Sequence, residues 1–202
     1  MKTSKLLEQS RQTRKSILDA AENLFFSHGY ANTTVDDICS TAGITKGAFY
    51  HHFRNKDAVY RQRFIHKLDT YLEEHYTLSD APTAYERYLK LAQCTFASSR
   101  VCGKELVGQS MIGQLSNQES TLYEAGRPHT LALMDAYEAA IAEGCEPQRI
   151  SLQFSIMLYA CMMTGFLFKW ASSSEAEGQA VDWDELLELE ISSFMHCLFH
   201  TS

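Results

Sequence analysis

The stretch Gly43-Ile44-Thr45-Lys46-Gly47-Ala48-Phe49-Tyr50-His51-His52-Phe53 decides how this chain is read. A glycine followed by a threonine marks the end of one helix and the cap of the next. On a helix opening at Thr45, Phe49 and Phe53 lie four positions apart and point inward. Lys46, Gly47, Tyr50, His51 and Arg54 then fall at i, i+1, i+4, i+5 and i+8, one contiguous outer face. That face offers a cation, a residue without a side chain, a phenol, an imidazole and a guanidinium.

Working outward, Ile17, Ala20, Ala21, Leu24 and Phe25 repeat at helical spacing and stop at Gly29. Thr33-Thr34-Val35-Asp36 reads as a capping box with Thr33 as the cap, opening a helix whose inner side is Val35, Ile38 and Cys39. A further helix starts at Asn55-Lys56-Asp57 and runs to about Leu78. Short helices separated by tight turns are the layout of a helix-turn-helix unit. A DNA major groove about 12 Å wide admits one such helix, N-terminus first. Gly47 would let backbone approach base edges and Lys46 would donate to guanine acceptors, while Tyr50, His51 and Lys56 would hold phosphates. Thr33 and Thr34, at a helix start, would serve another phosphate. Each residue also has an ordinary surface or packing role; what favours the joint reading is that caps, turn and core spacing fall in one register.

The charge distribution agrees. Residues 1–67 hold 11 Lys and Arg against 6 Asp and Glu, a net of +5, whereas residues 68–202 hold 7 against 19, a net of -12. A basic first third on an acidic remainder places any polyanion partner at the N-terminal part. The first residues show no apolar export signal, and the six cysteines are scattered without a C-x-x-C pair, which implies reduced thiols and a cytoplasmic protein. The apolar run Ile156–Phe168 falls well short of the roughly 20 residues that span a bilayer, so no membrane partner is expected.

Beyond Pro82 the periodicity predicts helices at about 82–99, 104–114, 118–143, 147–172 and 183–200. Pro82 and Pro147 would sit in first turns, Pro128 would kink or break its helix near Arg127, and Gly144 and Gly178 would act as stops. No segment alternates with period two. The expected fold is all-α: a three-helix N-terminal helix-turn-helix domain over 1–67 and a larger helical ligand-binding and dimerisation domain over 68–202.

Residues 14–60, RKSILDAAENLFFSHGYANTTVDDICSTAGITKGAFYHHFRNKDAVY, resemble the N-terminal domain of the TetR/AcrR family of transcriptional regulators. The resemblance is carried by A-A-x-x-L-F, the Gly-Tyr after the first helix, T-T-V-x-D-I, A-G-I-T-K-G-x-F-Y-x-H-F and the closing Asn-Lys. Cys39 departs from it, since a small alanine is usual there. The resemblance implies that Lys46 and Gly47 approach bases, that Thr34, Tyr50, His51 and Lys56 touch the backbone, and that His52 occupies a contact position; Thr45 caps that helix. It implies further that the remainder dimerises and holds a small effector whose binding releases a palindromic duplex operator.

One recognition helix reads only a few base pairs, so a two-fold homodimer is expected on physical grounds as well. Two apolar stripes are candidates for its interface, Ile191, Phe194, Met195, Leu198 and Phe199 in the last helix, and Met157, Cys161 and Phe168 in the preceding one. Soft and aromatic side chains suggest an adaptable apolar pocket lined by Phe96, Tyr123, Met134, Tyr137, Met157, Cys161, Phe166 and Trp170. Cys102, in a predicted loop between Arg100 and Lys104, is a candidate oxidation sensor, which keeps open a regulator switched by cysteine oxidation or by a protein partner. Catalysis has no foothold in the sequence: it has no H-E-x-x-H, no phosphate loop and no nucleophile with a base and an orienting group. No metal and no cofactor is expected; His196 and His200 share a helical spacing but lack a neighbouring carboxylate.

Overall fold

The computed structural model describes residues 2–117, 123, 124, 126–147 and 151–200. Ten α-helices run through these residues: α1 (Lys2–His28), α2 (Val35–Ala42), α3 (Lys46–His52), α4 (Lys56–His75), α5 (Ala84–Cys102), α6 (Lys104–Asn117), α7 (Pro128–Ala142), α8 (Leu152–Ser172), α9 (Glu175–Ala180) and α10 (Trp183–Leu198). A single 3-10 turn at Leu78–Asp80 follows α4. The chain divides into two compact units, Met1–Phe64 and Ile65–Ser202.

In the first unit, α1 buries Ile17, Ala20, Ala21 and Phe25, α2 buries Ile38 and Cys39, and α3 buries Phe49. Phe53, Val59 and Tyr60 complete this core. Phe25, Tyr30 and Tyr60 meet at ring-centroid distances of 4.5 to 5.6 Å. Cys39 fits as a small buried thiol, and desolvation pushes its pKa up.

In the second unit α5 is central: Tyr88, Leu91, Ala92, Thr95, Phe96 and Ser99 are all buried, and α7, α8 and α10 pack on it. Phe96, Phe166 and Trp170 form an edge-on aromatic cluster. The Phe166 centroid lies 4.9 Å from that of Phe96, and the Trp170 centroid 5.5 Å from it. Arg127 donates to Asp69 at 2.6 Å, tying the segment before α7 to the second half of α4.

Several expected boundaries shift. Pro128 is the first residue of α7 with Arg127 as its cap, so among the described residues the expected 118–143 helix runs only from Pro128 to Ala142; residues 118–122 and 125 lie outside the described residues. Pro147 is not in a first helical turn: Glu146–Pro147 (β1) pairs antiparallel with Phe199–His200 (β2), a short ladder that the absence of longer alternation concealed. Helix α8 starts only at Leu152, capped by Ser151. Gly178 is not a stop but lies inside α9, a short helix that the sequence reading missed and that Ser174 and Glu177 close with a capping box. Helix α8 is 21 residues, long and apolar enough to cross a membrane by length and composition, where the apolar run alone looked too short. Its inner face, Ser155, Tyr159, Met163, Phe166, Leu167 and Trp170, is buried in the unit.

Candidate nucleic-acid interface and effector region

Gly43 ends α2 at φ 66°, in the left-handed region that glycine adopts without a Cβ penalty. Its N–H donates to the Ser40 carbonyl and the Ile44 N–H to the Cys39 carbonyl, so the chain reverses tightly into α3. Thr45 Oγ1 then accepts the Ala48 N–H at 3.1 Å and starts that helix. Phe49 is fully buried and holds the helix down, while Lys46, Gly47, Tyr50 and His51 stay exposed, as the helical spacing requires. Tyr50 is 56% exposed although its ring leans edge-on against Phe49 at 5.4 Å. A Cβ at Gly47 would meet only Thr45 Oγ1, at an ordinary 3.8 Å, so nothing inside the unit demands glycine there. Any requirement for a bare backbone at this position comes from outside the chain.

Lys46 Nζ lies 2.7 Å from Asp36 of α2, both side chains well exposed. The Asp36 carboxylate holds the lysine pKa above its ordinary value. His52 is turned partly inward, against His51 at 5.0 Å; desolvation first, then His51 and Arg14, push its pKa down.

Two assignments at the start of α2 need correction. The cap is Thr34, not Thr33: Thr34 Oγ1 accepts the Asp37 N–H, and the Asp37 carboxylate accepts from the Thr34 N–H at 2.8 Å and the Thr34 hydroxyl at 2.6 Å. Those bonds hold the Asp37 pKa below the usual carboxylate range. Thr33 is buried and donates its hydroxyl back to the Gly29 carbonyl at 2.9 Å, so that hydroxyl is turned away from any phosphate. Lys56 differs from a free surface lysine. Its ammonium donates to the Tyr30 carbonyl at 2.7 Å and to the Thr33 carbonyl at 2.8 Å. It also stands 4.0 Å over the Tyr30 ring, a cation–π contact. Tyr30 in turn donates its hydroxyl to Asp57. Partial burial pushes the Lys56 pKa down. An ammonium has three protons, so two carbonyls leave one for a phosphate oxygen.

The pocket candidates separate by depth. Phe96, Phe166 and Trp170 are buried together, whereas Met134 and Tyr137 are half-buried on α7, with Tyr137 5.7 Å from Phe199. Tyr123 has a buried hydroxyl and stacks edge-on against His129 at 5.1 Å. Met157 and Cys161 do not belong to the interior, because they lie two positions past the buried Ser155 and Tyr159 and so face outward. They share that outer surface with Phe154 and Phe168, and Cys161 lines an open groove of about 590 Å³ with Leu158, Met162, Leu186, Leu189 and Cys197. The α10 stripe is also reassigned: Ile191, Phe194, Leu198 and Phe199 are core, and the outward face of α10 is Leu189, Ser193 and Cys197.

Cys102 is the last residue of α5 rather than part of a loop. Arg100 is committed to Asp184 and stands 4.2 Å over Phe96, and Lys104 donates to the Ser173 carbonyl and hydroxyl at 2.8 Å. Neither cation is aimed at the thiol by these contacts. No group of three potential metal ligands occurs among the described residues.

The sequence reading passed over a buried polar cluster: His129 and Thr95, with Tyr88 and Tyr159. His129 follows Pro128 and looked like part of a turn. The signal that could have placed it inside is the stripe His129, Ala132, Leu133, Ala136 and Ala140, all buried on α7.

Residues 17–62 match the family described as bacterial regulatory proteins, tetR family. The Transposon Tn10 TetC protein of Escherichia coli is 37% identical over 83 residues, which cover 39% of this chain and 42% of TetC. The chain thus spans less than half the length of the relative it matches there. The HTH-type transcriptional regulator SrpR of Pseudomonas putida is 25% identical over 182 residues, covering 88% of this chain and 84% of SrpR. Thermus thermophilus FadR, a TetR-family transcriptional repressor solved in complex with lauroyl-CoA, shares the fold at a TM-score of 0.69 and 21% identity, over 94% of this chain and 96% of that one. Residues 17–62, which hold α2 and α3 in helix-turn-helix order, thus carry the likeness to the tetR family of bacterial regulatory proteins, and the likeness to SrpR and to the Thermus fold extends over most of the chain.

Proposed function

We propose that the chain is a cytoplasmic repressor that binds a palindromic duplex operator as a homodimer and is released by a small apolar or amphipathic effector. Residues 1–67 serve DNA and residues 68–202 serve the effector and the dimer. The observation that carries this reading is the exposed row on α3, Lys46, bare Gly47, Tyr50 and His51, held in place by a fully buried Phe49. Lys46 and Gly47 meet base edges there. Tyr50 and His51 hold phosphates, with Thr34, whose hydroxyl and N–H are given to Asp37, and Thr45 and His52 at the margins of the contact, and Lys56 giving its remaining proton.

A second copy is the occupant of the α8–α10 surface. Phe154, Met157, Phe168 and Leu189 are each about half exposed or more, an apolar face that a monomer rarely leaves open. A two-fold partner also supplies the second recognition helix that a palindrome needs. The effector reading draws on the aromatic interior of the second unit and on the lauroyl-CoA held by the Thermus protein. An effector acts only through its different affinities for the DNA-bound and released states.

Selection from random duplexes followed by fluorescence anisotropy tests this reading. A two-fold symmetric sequence should emerge, and Lys46→Ala and Tyr50→Ala should each weaken its binding. No palindrome, or binding indifferent to both substitutions, would overturn it.

A further inference from the structure

His129 is the second residue of α7 and is fully buried. Its Nε2 lies 3.0 Å from Thr95 Oγ1, and Thr95 donates its own hydroxyl proton to the Leu91 carbonyl at 2.8 Å. A hydroxyl has one proton, so toward the imidazole the Thr95 oxygen can only accept. His129 therefore carries its proton on Nε2, and its Nδ1 is a lone-pair acceptor. That Nδ1 has no hydrogen-bond partner among the described residues.

The surroundings repeat the pattern. The rings of Tyr123 and Tyr159 lie 5.1 and 5.8 Å from the imidazole, and Tyr88 lies 6.1 Å beyond Tyr159. The hydroxyls of all three tyrosines are buried and make no hydrogen bond of normal geometry among the described residues, although Ser155 lies near Tyr88 and Thr95 near Tyr159. Native interiors pair almost all such groups, because each buried polar atom left alone carries its full desolvation cost. Here four come together on α5, α7, α8 and the segment before α7.

Their chemistry selects what would pair them. One acceptor and three phenols match a group that both donates and accepts. Charge is disfavoured. Burial and the Arg127 guanidinium hold the imidazole neutral, with its pKa pushed down to about 3. Arg127 itself is directed to Asp69 and the Ile65 carbonyl. An anion placed among these groups would meet neutral phenols and a lone pair, beside a guanidinium already engaged by the Asp69 carboxylate. The nearby apolar surface is aromatic: Phe96 follows Thr95 on α5, with Phe166 and Trp170 edge-on to it.

We propose that this cluster is the recognition point for the effector, and that the effector is an uncharged, largely apolar molecule bearing a hydroxyl that donates to His129 Nδ1 and accepts from a tyrosine hydroxyl. The inference rests on the effector reading given above and narrows it to a ligand class.

The test uses the full chain, a series of 4-alkylphenols from butyl to octyl, their methyl ethers and lauroyl-CoA. Binding is read by thermal shift and calorimetry, and operator release by anisotropy, in the wild type, His129→Phe and Tyr159→Phe. The expected result is that at least one alkylphenol binds and releases DNA, with affinity down about tenfold or more for its methyl ether and for either variant. Tyr159→Phe keeps the ring volume and removes an unpaired hydroxyl, so the ligand-free protein should be no less stable; it remains informative if His129→Phe does not fold. The proposal falls if no alkylphenol binds, if ether and phenol bind alike, or if both variants bind the phenol as the wild type does, which would mean that water alone fills the cluster. Phenol binding without DNA release would support the hydroxyl site and sink the effector reading. Release by lauroyl-CoA alike from wild type and both variants would uphold the effector reading and overturn this one.

Discussion

In residues 1–64 the side chains proposed to meet DNA stand outside the core. Lys46, Tyr50 and His51 are exposed, and the interior beneath them is Phe49, Ile38 and Ile17. In residues 65–202 the arrangement is inverted. His129, Thr95, Tyr88 and Tyr159 are inside, while the surface of α8 shows Phe154, Met157 and Phe168 to the outside. A DNA-reading unit has a fixed partner of known shape and charge, so its contacts project from a rigid support. If the second unit answers to a small molecule and to a second copy, as proposed, its polar groups are inside for the one and its apolar groups outside for the other.

The contrast breaks most visibly at Phe49. Phe49→Ala removes a fully buried ring from the smaller core and should cost about 3–5 kcal/mol, read as a lowered unfolding midpoint in urea. DNA binding should be lost with it, since this ring seats α3. A variant as stable as the wild type would mean that α3 is held by something other than its buried face.

How far the sequence revealed each unit follows from the same contrast. Periodicity reports which face of a helix is apolar, and caps report where the helix starts; together they placed α1 to α3 and the exposed α3 row. The error at Thr33 arose because two overlapping frames, Thr33 to Asp36 and Thr34 to Asp37, both fit a capping box. The backbone resolves them, since Thr33 instead bonds the Gly29 carbonyl. Periodicity cannot say whether an apolar stripe meets its own chain or another, so Ile191 and Phe194, which the pattern alone fits to an interface, are core. His129 left the weakest trace. A lone imidazole beside a proline has no pattern of its own, and its importance comes from Thr95, 34 positions away in sequence.

The next largest effect sharpens the reading of the second unit through pH. The unfolded chain protonates an ordinary histidine near pH 6.5, whereas folded His129 stays neutral down to about 3. The folded pKa is depressed, so the unfolded state binds the extra proton. The associated stability is complete above about pH 6.5 and declines as pH falls toward 3. By about pH 5 the loss should be about 2 kcal/mol. His129→Phe should remove that part of the slope; the smaller depression at His52 acts in the same direction and stays in both proteins. Equal slopes from about pH 6.5 to 5 in wild type and variant would show that the imidazole is not buried as a neutral base.

A smaller effect belongs to the cap. Thr34→Ala removes the acceptor for the Asp37 N–H and should destabilise the first unit by about 1 kcal/mol. Thr34→Ser should restore most of it, because the hydroxyl is what caps the helix. If the alanine variant unfolds like the wild type while Thr33→Ala does not, the capping frame is the other one.

The subtlest prediction concerns Asp36, an acid standing among groups offered to a polyanion. Its carboxylate lies 2.7 Å from Lys46 Nζ. An exposed pair of this kind adds little to folding, so its effect should appear in DNA binding. While paired, Lys46 presents no net charge to a phosphate, and non-specific duplexes gain little from it. A base edge that takes two of the ammonium protons can compete with Asp36 at the correct site, where geometry is fixed by α3. If Lys46 meets a base edge as proposed, Asp36 should lower background binding more than operator binding and raise the ratio between them. Asp36→Asn should strengthen binding to unrelated duplexes, make the slope of log affinity against log salt steeper by about one unit, and narrow the gap to the operator. An unchanged slope would show that Lys46 leaves Asp36 on any DNA alike, and that the pair belongs to the surface of the free protein alone.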